Sequence, residues 1–125
     1  MASAYGKAVL ADLREPAKAL REQIPETYEG FVATSKAAMA AGTLDAKTKE
    51  FLALAIAVAS QCDGCIASHT RGAAMKGATP EEVAEVLGVT IFMLGGPGTV
   101  YAPRAYESFL EFYEQYGRRE APVPS

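Results

Sequence analysis

Apolar positions along the chain recur at helical spacing, and the pattern is clearest near the C-terminus. Phe109, Phe112, Tyr113 and Tyr116 follow the i, i+3, i+4, i+7 spacing that places side chains on one stripe of a helix. Gly117 follows this stripe directly and is a typical helix stop. We therefore predict an amphipathic helix here, with an aromatic stripe that packs into the core or against another subunit.

The segment before it has the strongest helix start in the chain. Thr79 can cap a helix, Pro80 suits the first helical position, and Glu82 completes a capping box. Apolar residues then form one face (Val83, Val86, Leu87, Ile91, Leu94) and a second face (Val89, Phe92, Met93). This predicts a helix over residues 80–94 that is buried on more than one side and ends at the glycine-rich turn 95–98.

Four further helices are indicated upstream by the same spacing and by the placement of proline and glycine. One runs from about residue 4 to residue 23 and is interrupted by Pro16, one lies between Pro25 and Gly42, one starts near Asp45 and contains the alanine-rich run 51–59, and one runs from Cys62 to a stop at Gly77. No segment alternates with period two between hairpin turns. We predict an all-α fold of about six helices, as a single domain over residues 1–120 with a loose tail at 121–125.

Composition changes this picture in one respect. The chain has 125 residues, and half of them are hydrophobic. A chain this small has a high surface-to-volume ratio, so this much apolar surface is hard to bury within one copy. We therefore expect a homo-oligomer, or a face exposed for a partner.

Charge and hydropathy exclude several classes of protein. A net charge of −3 disfavours nucleic-acid binding, and the high apolar content disfavours disorder. The longest unbroken apolar run, residues 51–59, is too short to span a bilayer, and no signal peptide is visible. We therefore expect a cytoplasmic protein without membrane contact. In that compartment two neighbouring cysteines are more often catalytic or metal-binding than a structural disulfide.

The candidate chemistry lies in the segment Cys-Asp-Gly-Cys-Ile-Ala-Ser-His, residues 62–69. It contains both cysteines and the only histidine of the chain. If a helix begins near Cys62, then Cys62 and Cys65 share a face, and His69 is one turn beyond Cys65. The free N–H groups and the dipole at the helix start favour thiolate, and a nearby histidine can move a proton. This is the arrangement of an activated sulfur nucleophile with a resolving partner.

A carboxylate is expected at the same site. If the helices from Asp45 and from Cys62 form a tight antiparallel hairpin, Glu50 lies level with His69. Glu50 is also unusual because it is a charge placed one residue before a long apolar run. We predict that Glu50 and His69 form a proton relay.

These residues resemble the carboxymuconolactone decarboxylase family, and in particular its alkylhydroperoxidase D branch. The pattern of that branch is a glutamate, eleven residues, Cys-x-x-Cys, three residues and a histidine, and Glu50, Cys62, Cys65 and His69 match it at every position. Gly72 and the Gly-Gly-Pro-Gly turn at 95–98 add to the similarity, which extends over roughly residues 25 to 115.

The resemblance implies an orthogonal helical bundle, with the cysteine pair at the start of a central helix, that assembles as trimers or hexamers. It implies an antioxidant enzyme without a cofactor, in which Cys65 attacks a hydroperoxide, Cys62 resolves the sulfenic acid to a disulfide, and His69 and Glu50 relay the proton. The implied partners are the hydroperoxide, a dithiol reductant such as a lipoylated protein, and in some members a peroxiredoxin. Asp63 departs from the pattern, because an anion beside the thiols opposes thiolate formation.

Other interpretations of the same residues remain open. A zinc site would use Cys62, Cys65 and His69 but would lack a fourth ligand, and two inert buried thiols are also possible. In a lactone decarboxylase, as in the branch that names the family, the cysteines would be dispensable. A non-catalytic oligomeric scaffold with a vestigial site is a further alternative.

Overall fold

The computed structural model describes residues 2–117 and contains six α-helices and no strand within that range. The helices are α1 (Lys7–Gln23), α2 (Pro25–Met39), α3 (Ala46–Ala59), α4 (Asp63–Met75), α5 (Pro80–Leu94) and α6 (Gly96–Gln115). The predicted all-α fold of about six helices is confirmed. The predicted tail at 121–125, and the last three residues of the predicted domain, lie outside the described residues.

The starts of α3 and α5 were predicted correctly. Asp45 caps α3 by accepting a hydrogen bond from the Thr48 backbone N–H at 2.7 Å. Thr79 and Glu82 form both hydrogen bonds of the predicted capping box at the start of α5. These caps satisfy N–H groups that have no partner within the helix, which is why local sequence suffices to locate them.

Two predicted boundaries and one predicted interruption were wrong. Pro16 does not interrupt α1, which begins at Lys7 rather than near residue 4. The carbonyl that loses its helical partner at Pro16 belongs to Asp12, which is exposed and can bond to water instead. Helix α2 ends at Met39, three residues before Gly42.

The glycine-rich turn after α5 is also shorter than predicted. Only Gly95, with φ of 69°, separates the two helices, and α6 begins at Gly96 and continues for 20 residues through Pro103. Pro97 occupies the first turn, where its missing N–H costs nothing. Gly98 is needed for packing, because a Cβ there would lie 2.9 Å from the Ile91 Cα. The glycines therefore bring α6 close to α5 instead of forming a long loop.

The hydrophobic core comes from α3 to α6 and the short connections between them. Its fully buried large side chains include Phe109 and Phe112 of the predicted aromatic stripe, and Tyr113 and Tyr116 pack against its edge. Its buried members are Leu54, Ala57, Val58, Ile66, Ala73, Ala74, Ala78, Val83, Leu87, Ala102, Ala105, Phe109 and Phe112. No residue of α1 or α2 is buried.

The second apolar face of α5, which was predicted to be buried, is not covered by residues 2–117. Val89, Phe92 and Met93 are 61%, 83% and 71% exposed. The alanine-rich helix α3 is likewise buried on one side only, since Leu52 and Ile56 are 50% and 65% exposed. Periodicity reports that a face is apolar, but it does not report what covers that face. Within residues 2–117 no helix is both long and apolar enough to cross a membrane.

Candidate functional site

A tight turn between α3 and α4 brings the candidate residues together. Helix α3 ends in a Schellman motif, in which the Cys62 N–H bonds the Ala57 carbonyl and the Gln61 N–H bonds the Val58 carbonyl, each at 3.1 Å. Gln61 has φ of 53° and is the single non-glycine residue with positive φ among residues 2–117. Glycine usually occupies this position, so the sequence carries no local signal for the turn. The turn makes α3 and α4 the antiparallel hairpin that was predicted.

Cys62 is the N-cap of α4, and Cys65 lies in its first turn. The Cys65 backbone N–H points to the Cys62 Sγ at 3.2 Å, and the two sulfurs are joined in a disulfide, with Cα atoms 5.2 Å apart. Cys65 is exposed, whereas Cys62 is half-buried. A thiolate at either position would lie close to the free N–H groups and the positive end of the α4 dipole. Asp63, exposed in the same turn, adds a negative charge there.

Glu50 and His69 lie side by side on the two helices of the hairpin. The His69 Nδ1 and the Glu50 Oε2 are 2.9 Å apart, which confirms the predicted juxtaposition. The Glu50 side chain is only 14% exposed, and that of His69 is 28% exposed. Glu50 therefore holds one ring nitrogen of His69, and it favours the tautomer in which Nδ1 carries a proton. The other nitrogen, Nε2, has no hydrogen-bond partner within residues 2–117.

Gly72 allows this pairing, a role that the spacing argument did not assign to it. A Cβ at Gly72 would lie 2.5 Å from both the Cδ and the Oε2 of Glu50. The Glu50 carboxylate thus occupies the space that any side chain at position 72 would fill. The sequence did contain a signal for this role, namely a glycine one turn after the histidine in a segment that otherwise continues as a helix.

The two lysines close to Glu50 in sequence, Lys47 and Lys49, bond to groups other than its carboxylate. The Lys47 Nζ pairs with the Glu82 Oε2 at 2.8 Å, and the Lys49 Nζ donates to the Ala38 and Ala40 carbonyls at the end of α2. The bond from Lys47, and then the bond from the Thr79 N–H, holds the pKa of Glu82 below its ordinary value. Because both lysines have other partners, His69 is the basic group that contacts Glu50.

Across the described part of the chain, no group of three or more histidine, cysteine, aspartate or glutamate side chains is arranged to hold a metal ion. Cys62, Cys65 and His69, the three ligands of the zinc interpretation, therefore do not form such a group here.

Comparison with known proteins gives a consistent result. A family model described as the carboxymuconolactone decarboxylase family matches residues 25–108, which contain all four candidate site residues. A crystal structure of a carboxymuconolactone decarboxylase family protein from Legionella pneumophila superposes with a TM-score of 0.81 at 42% identity, covering 85% of this chain and 95% of that one.

Relatives in other organisms are similar in sequence. An uncharacterised protein of Cupriavidus necator is 40% identical over 103 residues, which is 82% of this chain and 91% of that protein. An uncharacterised protein of Methanocaldococcus jannaschii is 35% identical over 95 residues, which is 74% of this chain and 90% of that protein. Relatives of nearly the same length thus occur in both a bacterium and an archaeon.

Proposed function

The chain belongs to the carboxymuconolactone decarboxylase family, and on that basis we propose that it is a thiol-dependent peroxidase that reduces organic hydroperoxides through Cys62 and Cys65. The observation that supports this proposal is the disulfide-forming pair at the start of α4, one turn from a histidine held by a half-buried glutamate. Thiolate, proton acceptor and resolving thiol are the three groups that such a reaction requires.

In the first step the reduced Cys65 attacks the terminal oxygen of the hydroperoxide. His69 takes the Cys65 proton on Nε2, because Nδ1 is bound to Glu50. A sulfur–oxygen bond forms, the oxygen–oxygen bond breaks, and the leaving alkoxide takes the proton back from His69 as an alcohol. Sulfur is oxidised to a sulfenic acid while the peroxide is reduced by two electrons.

In the second step Cys62 attacks the sulfenic acid sulfur. A disulfide forms and water leaves, with one proton supplied by the Cys62 thiol. A dithiol then reduces this disulfide by exchange and becomes a disulfide itself, so that both protein thiols are restored. The exposure of Cys65 suits it to meet the peroxide, and the Cys65 N–H beside the Cys62 Sγ suits Cys62 to react as a thiolate.

The test is turnover of an organic hydroperoxide with dihydrolipoamide as the reductant. We expect Cys65→Ser to abolish turnover and Cys62→Ser to block the formation of the intramolecular disulfide, as detected by mass spectrometry after peroxide addition. Wild-type turnover no higher than that of Cys65→Ser would refute the proposal. If a lactone decarboxylase activity survived the double Cys→Ser change, the lyase alternative would be favoured.

The proton relay has its own test. Glu50→Gln should lower kcat/KM by about 100-fold, the lower end of the general acid–base range, whereas Glu85→Gln on the exposed side of α5 should not. The kcat/KM of Gly72→Ala should fall close to that of Glu50→Gln, because the new Cβ displaces the Glu50 carboxylate. The Gly72→Ala protein should remain folded. Gly88→Ala is the matched control, since a Cβ there meets nothing within 4 Å.

We further propose that the chain assembles as a homo-oligomer through the exposed apolar residues of α3 and α5. This α3/α5 apolar face consists of Leu52, Ile56, Val89, Phe92 and Met93, which are between 50% and 83% exposed. An apolar group of this size on a single surface is typical of a subunit interface. Phe92→Glu should reduce the mass measured by light scattering to that of a monomer, and an unchanged mass would place the interface elsewhere.

A further inference from the structure

A groove outside the cysteine–histidine site lies between α1, α4 and α6. It has a volume of about 590 Å³, within the range of small-molecule sites. Three cationic side chains line it, Lys7, Arg14 and Arg71, and no aspartate or glutamate does. Its apolar lining includes Leu10, Leu13 and Phe112.

No carboxylate among residues 2–117 neutralises the three cations. Within residues 2–117, none of their side-chain nitrogens lies within 4.0 Å of a carboxylate oxygen. Glu111 is near Lys7, but its two oxygens accept the backbone N–H groups of Ser3 and Lys7 at 3.0 and 2.7 Å. In a protein of net charge −3, three unpaired cations beside one groove form a local site for an anion.

Arg71 has an aromatic neighbour at the wall of the groove. Its guanidinium lies over the Tyr116 ring, 6.0 Å from the ring centroid, and both residues line the groove. This contact holds the planar side chain at the wall and leaves its N–H donors available. A guanidinium with free donors is well suited to bind a carboxylate in a bidentate way.

One apolar residue of the groove, Leu13, packs against the turn that holds the cysteine pair. The Leu13 Cδ1 lies 3.1 Å from the position that a Cβ at Gly64 would take, and Gly64 stands between Cys62 and Cys65. Gly64 and Arg71 are seven residues apart, and therefore lie on the same face of α4, two turns from each other. An aliphatic chain bound by its acidic end at Arg71 would run along this face toward the redox pair.

We propose that the groove binds the carboxylate of an amphiphilic aliphatic acid, so that the substrates of this protein are hydroperoxides of fatty-acid type. The assignment of the substrate rests on the proposed peroxidase function, but the binding of the acid does not. Helix α1, which contributes Lys7, Leu13 and Arg14, precedes the residues 25–108 that match the family model. Of the residues that line the groove, only Arg71 lies within the matched segment.

Binding is tested with decanoate, an unreactive probe, by isothermal titration calorimetry on the full chain. We expect the Kd for decanoate to rise at least 10-fold in the double variant Arg14→Gln, Arg71→Gln. The matched control is Arg21→Gln, which removes a charge from the same helix α1, stacked on Tyr28 at 5.3 Å but outside the groove. Absence of decanoate binding, or equal binding by the double variant and the wild type, would overturn the proposal.

Turnover tests the substrate class. The ratio of kcat/KM for a fatty-acid hydroperoxide to that for its methyl ester should be at least 5 in the wild type and in Arg21→Gln, and should approach 1 in the double variant. An equal ratio in all three proteins would overturn the substrate assignment. If neither hydroperoxide is turned over, the peroxidase function fails, and the decanoate titration still decides whether the groove is an acid-binding site.

Discussion

The first two helices and the last four are built on different principles. The N-terminal helix pair, α1 and α2, has no buried residue. It is attached through polar contacts at its ends and through partly buried side chains such as Leu10. Glu111 of α6 binds the backbone at the start of α1, and Lys49 of α3 binds the carbonyls at the end of α2. The four-helix body, α3 to α6, contains the core and all four candidate site residues.

The two parts of the molecule therefore contribute differently: the four-helix body provides most of the stability, and the N-terminal helix pair shapes the surface around it. Burial of apolar surface is the largest favourable term in folding, so the body carries most of the free energy of unfolding. The helix pair instead contributes to surface sites, since α1 provides one side of the acid-binding groove. Isolated helices of this length are marginal in water, so the pair depends on the body for its helical structure.

The largest expected contrast compares two phenylalanines. Phe109 on α6 is fully buried, and Phe31 on α2 is 72% exposed. Phe109→Ala should lower the free energy of unfolding by about 3–5 kcal/mol, because it removes buried surface and leaves a cavity. Phe31→Ala should change it by less than about 0.5 kcal/mol. Urea unfolding measures both, and a large loss in Phe31→Ala that depends on protein concentration would show that another subunit covers α2.

A smaller contrast compares two threonines with the same local bond. The Thr70 hydroxyl bonds the Ile66 carbonyl at 2.8 Å, and the Thr34 hydroxyl bonds the Gly30 carbonyl at 3.0 Å. Thr70 is buried and also contacts the Ser108 hydroxyl at 2.7 Å. Thr70→Val should cost about 1–3 kcal/mol, because Ser108 loses its buried partner.

Thr34→Val is the control, because water replaces the lost bond at that exposed site. Its cost should stay below about 0.5 kcal/mol. Equal losses in the two variants would contradict the division between the helix pair and the body.

Two glycines test whether the helix pair opens separately from the body. A Cβ at Gly30 on α2 or at Gly88 on α5 meets nothing within 4 Å, so alanine should stabilise each helix by about 0.5–1 kcal/mol. Gly88→Ala should raise the global free energy of unfolding by that amount. Gly30→Ala should instead slow hydrogen exchange in α2 and leave the urea midpoint unchanged. A shift of the urea midpoint in both variants would mean that α2 unfolds together with the body.

The smallest expected effect is on the stability of the protein at acidic pH. The Lys47 bond lowers the pKa of Glu82, and the Thr48 N–H bond lowers the pKa of Asp45, so both acids bind protons less readily when folded than when unfolded. Their contribution to stability is complete above the unfolded pKa of about 4 and is lost as pH falls through the folded value. Glu82→Gln keeps a side chain that completes the capping box, and it should reduce the loss of stability between pH 5 and 3 in urea titrations. Identical pH dependence in the wild type and in Glu82→Gln would refute this assignment.

Local signals were sufficient where a few neighbouring residues decide the outcome. The caps at Asp45 and Thr79 depend on side chains three residues from the groups they satisfy, and they were predicted correctly. The juxtaposition of Glu50 and His69 was also predictable once a tight antiparallel hairpin was assumed, and the turn at Gln61 provides that hairpin.

Local signals failed where the conformational preference of a residue was outweighed by its contacts with solvent or with neighbouring helices. Pro16 and the glycines at 96 and 98 normally break helices, yet each lies within one. Solvent can satisfy the carbonyl freed by Pro16, and close packing on α5 requires Gly98. Gln61 adopts a conformation that favours glycine, because the caps and hydrogen bonds on both sides of the turn hold it there.

The sequence by itself determined the helices, their caps and the spacing that places two thiols, a histidine and a glutamate on adjacent helices. These depend on residues that are close in the chain, or on one short hairpin. Only the tertiary structure decided that Gly72 makes room for Glu50, that the second face of α5 is left uncovered, and that Lys7, Arg14 and Arg71 surround one groove. Periodicity defines the faces of each helix about its own axis, but what each face contacts depends on how the helices pack together.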